Sequence, residues 1–310
     1  MATNLKGRSL LCLKDFTKEE LEEFIFQGEK LKVEHYAGKN EKLLDGKTVA
    51  VLFEKPSTRT RISFAVAIHE LGAFPLILET SNLQLVRGET VPDTAKVMGR
   101  MVQGIVARVF AQKTLEELAQ FSGVPVINAL SDFSHPCQAL GDFLTIKEKK
   151  GRLQGVKLAY LGDGNNVANS LLIGGSILGL DVSVGTPKGF EPMKEVVEMA
   201  LNFAKKSGSK IEIVNDPKEA AKDADVLYTD VWASMGQEAE HDKRVEIMKP
   251  FQINSDILKY AKEDAIVMHC LPAHRGEEIT DEVLDGPHSV VFDQAENRLH
   301  IQKAILSLLI

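Results

Sequence analysis

Cysteine and long apolar runs are both scarce in this 310-residue chain, and each scarcity removes a class of protein. Its three cysteines, Cys12, Cys137 and Cys270, are too few and too widely scattered to form a disulfide framework. The N-terminus shows no secretory pattern, so a reducing, cytoplasmic setting is expected. The longest apolar stretches, such as 266–271 and 304–310, fall far short of the roughly 20 residues needed to span a bilayer. Positive charge is not in excess either. With 37 basic and 44 acidic residues the net charge is −7, which gives no reason to expect nucleic acid or an anionic membrane as a partner. An anionic ligand would need a local basic site. Low-complexity tracts and short solenoid-type repeats are also absent.

What the chain does have is a regular alternation of short apolar runs and helical patterns. The runs expected to be strands are 48–53, 74–78, 104–109, 124–128, 156–161, 181–184, 211–214, 226–229, 265–269 and 289–292. Most are continuously apolar rather than alternating, as in strands covered on both faces of a parallel sheet. Helical stretches at 17–32, 58–71, 114–121, 191–206 and 217–223 separate them. This repetition predicts an α/β protein with two doubly wound parallel-sheet domains and a cleft between them. Charge and glycine at Glu148-Lys149-Lys150-Gly151-Arg152 suggest the break, giving domains 1–148 and 149–294. The final segment, 295–310, reads as a helix that could pack back on the first domain. At this length two domains fit better than one.

Ligands of open parallel sheets bind beyond the carboxyl ends of the strands. The residues that follow each run are therefore informative. After 48–53 comes Pro56-Ser57-Thr58-Arg59-Thr60-Arg61, where a hydroxyl cap, free backbone N–H groups and a guanidinium suit a phosphate dianion. It lacks the shape of a P-loop, so no nucleoside triphosphate is implied. Arg108 lies inside the apolar run Gly104–Phe110, where an unpaired charge is costly. It is either paired with an acid in the sheet or a second cation for the same ligand.

His135-Pro136-Cys137-Gln138 offers an imidazole able to hydrogen-bond a carbonyl oxygen, although packing alone would also account for a lone histidine. Gly162-Asp163-Gly164-Asn165-Asn166 is a poor dinucleotide fingerprint, and its asparagines suit a small ligand's carboxylate or amino group. Asp230, at a strand end beside Trp232, is either a helix cap or a partner for an ammonium group. Gly236 and the polar residues up to His241 read as a loop that could close over substrate. Cys270, between His269 and Leu271-Pro272, is either an inert core thiol or a group on the cleft rim. The spacings of His135, Cys137, His269, Cys270 and His274 match no usual zinc pattern, so neither a metal nor a cofactor is expected.

Taken together, S-T-R-T-R, H-P-C-Q, G-D-G-N-N, Asp230 with Ser234-Met235-Gly236, and H-C-L-P resemble the ornithine carbamoyltransferase branch of the aspartate/ornithine carbamoyltransferase family. The resemblance runs from about Leu10 to Lys303. It implies transfer of the carbamoyl group of carbamoyl phosphate to the side-chain amine of L-ornithine, giving citrulline, without a cofactor. By position it assigns Ser57, Thr58, Arg59 and Thr60 to the phosphate, and Arg108, His135, Gln138 and Arg298 to carbamoyl phosphate. Asn166, Asp230, Ser234 and Met235 match ornithine-binding positions, and Cys270 and Leu271 the reaction centre. Gln84 matches a residue that reaches a neighbouring subunit's site in the family's homotrimer or higher assembly of trimers. The chain departs from the family pattern nearby, with Val86 where glycine is frequent. Readings to be separated from this one are a carbamoyltransferase for another amine such as putrescine, an NAD-dependent dehydrogenase, and a catalytically silent assembly subunit.

Overall fold

The computed structural model describes residues 4–233 and 241–310. The chain divides into two compact units, Met1–Leu144 with Glu296–Ile310, and Thr145–Ala295.

The first unit holds the strands β1 (Thr48–Phe53), β2 (Phe74–Glu79), β3 (Gly104–Arg108) and β4 (Val126–Leu130). They form one parallel sheet in the order β2-β1-β3-β4. The helices around it are α1 (Lys18–Tyr36), α2 (Thr58–Glu70), α3 (Val91–Met98) and α4 (Gln112–Ser122). Every residue of β3 is buried, as is all of β1 after Thr48, which explains why those runs carry no polar alternation. Ala50, Leu52, Ile105, Ala107 and Val126 pack with Leu115 and Leu118 of α4 in one apolar cluster.

The second unit repeats the theme with β5 (Lys157–Leu161), β6 (Asp181–Gly185), β7 (Ile211–Val214), β8 (Val226–Thr229) and β9 (Ile266–His269). Their order is β7-β6-β5-β8-β9, again all parallel. Two long helices, α5 (Pro136–Lys150) and α12 (Val291–Leu309), run through the points where the units divide. Between them in sequence lie α6 (Asn166–Leu178), α7 (Lys194–Ser207), α8 (Pro217–Ala221), α9 (His241–Met248), α10 (Ser255–Leu258) and α11 (Asp281–Leu284).

Two sequence expectations need correction. The run 289–292 is not a strand: Ser289 makes a single bridge to Val267, and Val291 already starts α12. Its Ser-Val-Val-Phe composition is one that a short apolar run shares with a buried helix start, and periodicity cannot separate them. At 148–155, where the domain break is expected, α5 continues to Lys150 and Gly151 then turns with φ +72°. The strand expected at 124–128 begins later, at Val126, after Pro125, which has no N–H to give to a ladder.

In each sheet the chain winds outward to one side, then returns to the other side of its first strand. These switch points lie between β1 and β3 and between β5 and β8. Helices on the two sides of a switch leave in opposite directions, which opens a crevice beyond the carboxyl ends of the strands.

Candidate active site

At the first switch point Phe53 pairs in register with Arg108, so the segment leaving β1 starts beside the end of β3. Ser57 then caps α2: its backbone is extended and its Oγ accepts from the Thr60 N–H at 3.3 Å. The cap satisfies one N–H of the first turn and leaves the others, with the positive end of the helix dipole, at the tip. Thr58 is exposed at that tip and Arg59 half-buried, whereas Thr60 is buried. Arg61 turns away from this role, pairing with Glu79 and lying over the Phe53 ring at 5.3 Å.

Arg298, carried by α12, is 3% exposed. Its Nη2 donates to Thr60 Oγ1 at 3.2 Å and its Nη1 to Gln138 Oε1. Gln138 is held in turn by its Nε2, which donates to the buried Asp142 carboxylate at 2.8 Å, one turn along α5. A helix tip, a guanidinium and an amide are thereby locked together by three elements. His135, just before α5, is 5% exposed, and Arg108 is 7% exposed. Burial, then the positive charges of Arg298 and Arg108, hold the His135 imidazole well below its ordinary pKa, so it is neutral at pH 7. Lys55 joins the cationic group; burial and the Arg108 charge depress its pKa, and its Nζ lies 4.3 Å from the centre of the Phe110 ring.

The second switch point places β5, β8 and β9 side by side, with Leu161 opposite Thr229 and Thr229 opposite His269. The next residues, Asp230 and Cys270, are therefore neighbours, and the Cys270 thiol donates to Asp230 Oδ1 at 2.9 Å. Asp230 is 7% exposed and accepts two further bonds, from its neighbour Val231 N–H at 2.8 Å and from Asn165 Nδ2 at 2.8 Å. Asn165 uses its other side-chain atom to cap α6, accepting from Val167 and Ala168 N–H. Asp230 is thus a carboxylate aimed by its neighbours rather than a helix cap. Asn166, the first residue of α6, is half-buried beside it in sequence.

Past Cys270 the backbone is unusual. Leu271 has φ +57°, a left-handed conformation that side chains disfavour, and it precedes a cis bond to Pro272. Its N–H donates to His269 Nδ1 at 2.8 Å, while His269 Nε2 lies 2.9 Å from Glu278 Oε1 with both side chains fully buried. Because Nδ1 accepts, the neutral ring carries its proton on Nε2 and donates it to Glu278. Glu278 Oε1 also accepts from the His274 N–H at 2.6 Å, so one buried acid ties both ends of this turn.

The comparisons with known proteins agree along the whole chain. Residues 8–148 match the carbamoyl-P binding domain of the aspartate/ornithine carbamoyltransferase family, and residues 154–309 its Asp/Orn binding domain. The chain belongs to this family. A relative from Thermococcus kodakarensis, named ornithine carbamoyltransferase, is 59% identical over 308 residues, spanning 99% of this chain and 98% of its own length. A Bacillus subtilis protein of the same name is 51% identical over 304 residues, covering 98% of this chain and 94% of its own. The solved structure of the ornithine carbamoyltransferase from Pyrococcus furiosus superposes with a TM-score of 0.97 at 57% identity, covering 99% of this chain and 98% of that one.

Within this carbamoyltransferase fold the structure gathers Thr60, Arg108, His135, Gln138 and Arg298 at one end of the first sheet. It gathers Asp230 and Cys270 at the matching end of the second. Gln84 lies on the exposed 3-10 turn Gln84–Arg87, downstream of β2 and not at a switch point. Ser234 and Met235, with residues 236–240 of the loop expected there, lie outside the described residues, and His241, expected at the end of that loop, is the first residue of α9. Sequence reasoning overlooked Lys55, Asp142, Asn165 as the partner of Asp230, and Glu278. Asp142 had a legible signal, an acid four residues after Gln138 inside the apolar run Ala139–Leu144. Glu278 had none, since nothing in Glu277-Glu278 says which of the two points inward.

Proposed function

We propose that this chain transfers the carbamoyl group of carbamoyl phosphate to the side-chain amine of L-ornithine, releasing citrulline and phosphate. The observation that carries this reading is the convergence of Arg108, Arg298 and a neutral His135 beside the capped tip of α2. A phosphate dianion next to a polarised carbonyl is the ligand that such a set accommodates. The full-length similarity to ornithine carbamoyltransferases supports the choice of acceptor. The name of the Pyrococcus furiosus relative includes "anabolic", which supports a place in arginine biosynthesis.

In this reading Ser57, Thr58, Arg59 and Thr60 hold the phosphate, and Arg108 and Arg298 balance its charge as it leaves. Gln138, His135 and Leu271 fix the carbamoyl group, the neutral imidazole donating to the carbonyl oxygen as negative charge develops there. Asn166, Asp230, Ser234 and Met235 hold ornithine. Its side-chain ammonium, with an ordinary pKa of about 10.4 if it behaves like lysine, must lose a proton before it attacks. Asp230 and Cys270 orient that nitrogen and help take up the proton. The C–N bond then forms, the C–O bond to phosphate breaks, and phosphate departs with the electron pair. Positioning and electrostatics supply the catalysis, with no cofactor or metal required by the chemistry. Gln84 contributes to a neighbouring subunit's site in a cytoplasmic homotrimer or an assembly of trimers. Sedimentation equilibrium at a mass three times that of the chain, or a multiple of it, is the outcome expected.

The test is citrulline formation from carbamoyl phosphate with ornithine, aspartate and putrescine supplied side by side. Ornithine is expected to be the preferred acceptor by a wide margin. A preference for putrescine would move the chain to another acceptor, and no product with any amine would overturn the activity itself.

A further inference from the structure

A second group of side chains in the Thr145–Ala295 unit, separate from Asp230 and Cys270, has the chemistry of a metal site. His241 opens α9, and His274 and Glu277 lie in the turn that follows Cys270-Leu271-Pro272. One ligand atom from each of the three lies within 4.8 Å of the others. His241 Nε2 is 3.1 Å from Glu277 Oε2, and His274 Nδ1 is 3.5 Å from the same oxygen. Around a tetrahedral Zn²⁺, with ligands at roughly 2.0–2.1 Å, neighbouring donor atoms lie about 3.3 Å apart. The two edges bracket that value. The remaining nitrogen of His241, Nδ1, lies 3.2 Å from Asp242 Oδ1. A carboxylate on the far ring nitrogen is the usual outer partner of a metal-bound histidine, since it fixes the tautomer that turns the Nε2 lone pair outward.

The turn that carries His274 and Glu277 is itself held rigidly. Glu277 N–H donates to His274 O at 2.9 Å, Gln252 Nε2 donates to both Gly276 O and Glu277 O, and His274 N–H is anchored on buried Glu278. Two histidines and one glutamate, offered from a braced turn and a helix start, make a three-ligand set that leaves a fourth position for water.

We propose that His241, His274 and Glu277 bind a divalent cation of the zinc class, stapling the turn after Leu271-Pro272 to the start of α9. The ion ties together two segments that are distant in sequence, each adjoining a motif used for the amine substrate. The proposal rests on the geometry of this unit alone and is independent of which acceptor the enzyme carbamoylates.

Asp230, His269 and Cys270 form a rival group whose ligand atoms also lie within 4.8 Å of one another, and the experiment must separate the two. The full-length protein, stripped with chelator, is titrated with Co²⁺ and followed by absorption spectroscopy, then with Zn²⁺ by calorimetry. The expected result is one ion per chain with visible d–d bands and no thiolate-to-cobalt charge-transfer band. Binding should persist in Cys270→Ala and be lost in His241→Ala and His274→Ala, both of which should retain a native circular dichroism spectrum in the absence of metal. Asp242→Asn should weaken Zn²⁺ binding by about tenfold, the low end for an outer partner. Zn²⁺ should raise the melting temperature of the wild type and leave that of His274→Ala unchanged. A thiolate charge-transfer band that disappears in Cys270→Ala would place the ion at the rival group and overturn the proposal. So would binding indifferent to His241→Ala and His274→Ala, or no binding by millimolar metal.

Discussion

At the scale of single residues, two of the cysteines, Cys137 and Cys270, have opposite fates. Cys137 is fully buried, donates to Asn128 O at 3.3 Å, and has its pKa pushed up to about 12 by burial, so it is an inert core thiol. Cys270 is partly accessible and donates to Asp230. We expect Cys270→Ala to lose most turnover while carbamoyl phosphate still binds with near-normal affinity, measured by steady-state kinetics and calorimetry; near-normal turnover would remove the thiol from the chemistry. His135 leads to a prediction about pH. Its folded pKa lies well below the unfolded value of roughly 6.5, so below that pH the unfolded chain binds more protons than the folded one. Stability is therefore fully present above about pH 6.5 and lost as pH falls through the window beneath it. His300, depressed chiefly by burial, adds in the same direction. Urea unfolding across pH 5–7.5 should show this loss, and His135→Asn should flatten it; an unchanged slope would mean that His135 is not the group responsible.

At the scale of elements, the strand-to-helix connections do the positioning. The β5–α6 turn illustrates how tightly they are built. A Cβ on Gly164 would lie 2.2 Å from Pro192 N and 2.5 Å from Glu191 C, both backbone atoms that cannot swing aside. Gly164 also donates to Phe190 O at 2.8 Å, and the next residue, Asn165, both caps α6 and holds Asp230. Gly164→Ala should cost about 1–3 kcal/mol of stability by overpacking. It should also raise the KM for the amine acceptor more than that for carbamoyl phosphate, because the displaced residue leads directly to Asp230. Equal changes in both constants would show that the turn supports the fold without aiming the carboxylate.

At the scale of the whole molecule, the last fifteen residues bind the first unit to a segment made at the other end of the chain. Ile301, Ala304, Ile305, Leu306 and Leu309 are all fully buried there, and Arg298 links α2 to α5. Burying four large aliphatic side chains contributes roughly 2 kcal/mol each, which is comparable with the 5–15 kcal/mol net stability of a typical domain. Removing 296–310 should therefore leave the first unit unfolded or insoluble, while a soluble, cooperatively melting product would show that the helix is dispensable. The amino-acid order alone determined the α/β class and most strands, because burial on both faces leaves continuous apolar runs. It did not determine which side chains meet. That Phe53 aligns with Arg108, that Arg298 reaches Thr60 from 238 positions away, and that Glu278 rather than Glu277 turns inward to His269 follow only from sheet register and helix packing. Such contacts join residues remote in sequence, and local patterns record only what each segment does with its immediate neighbours.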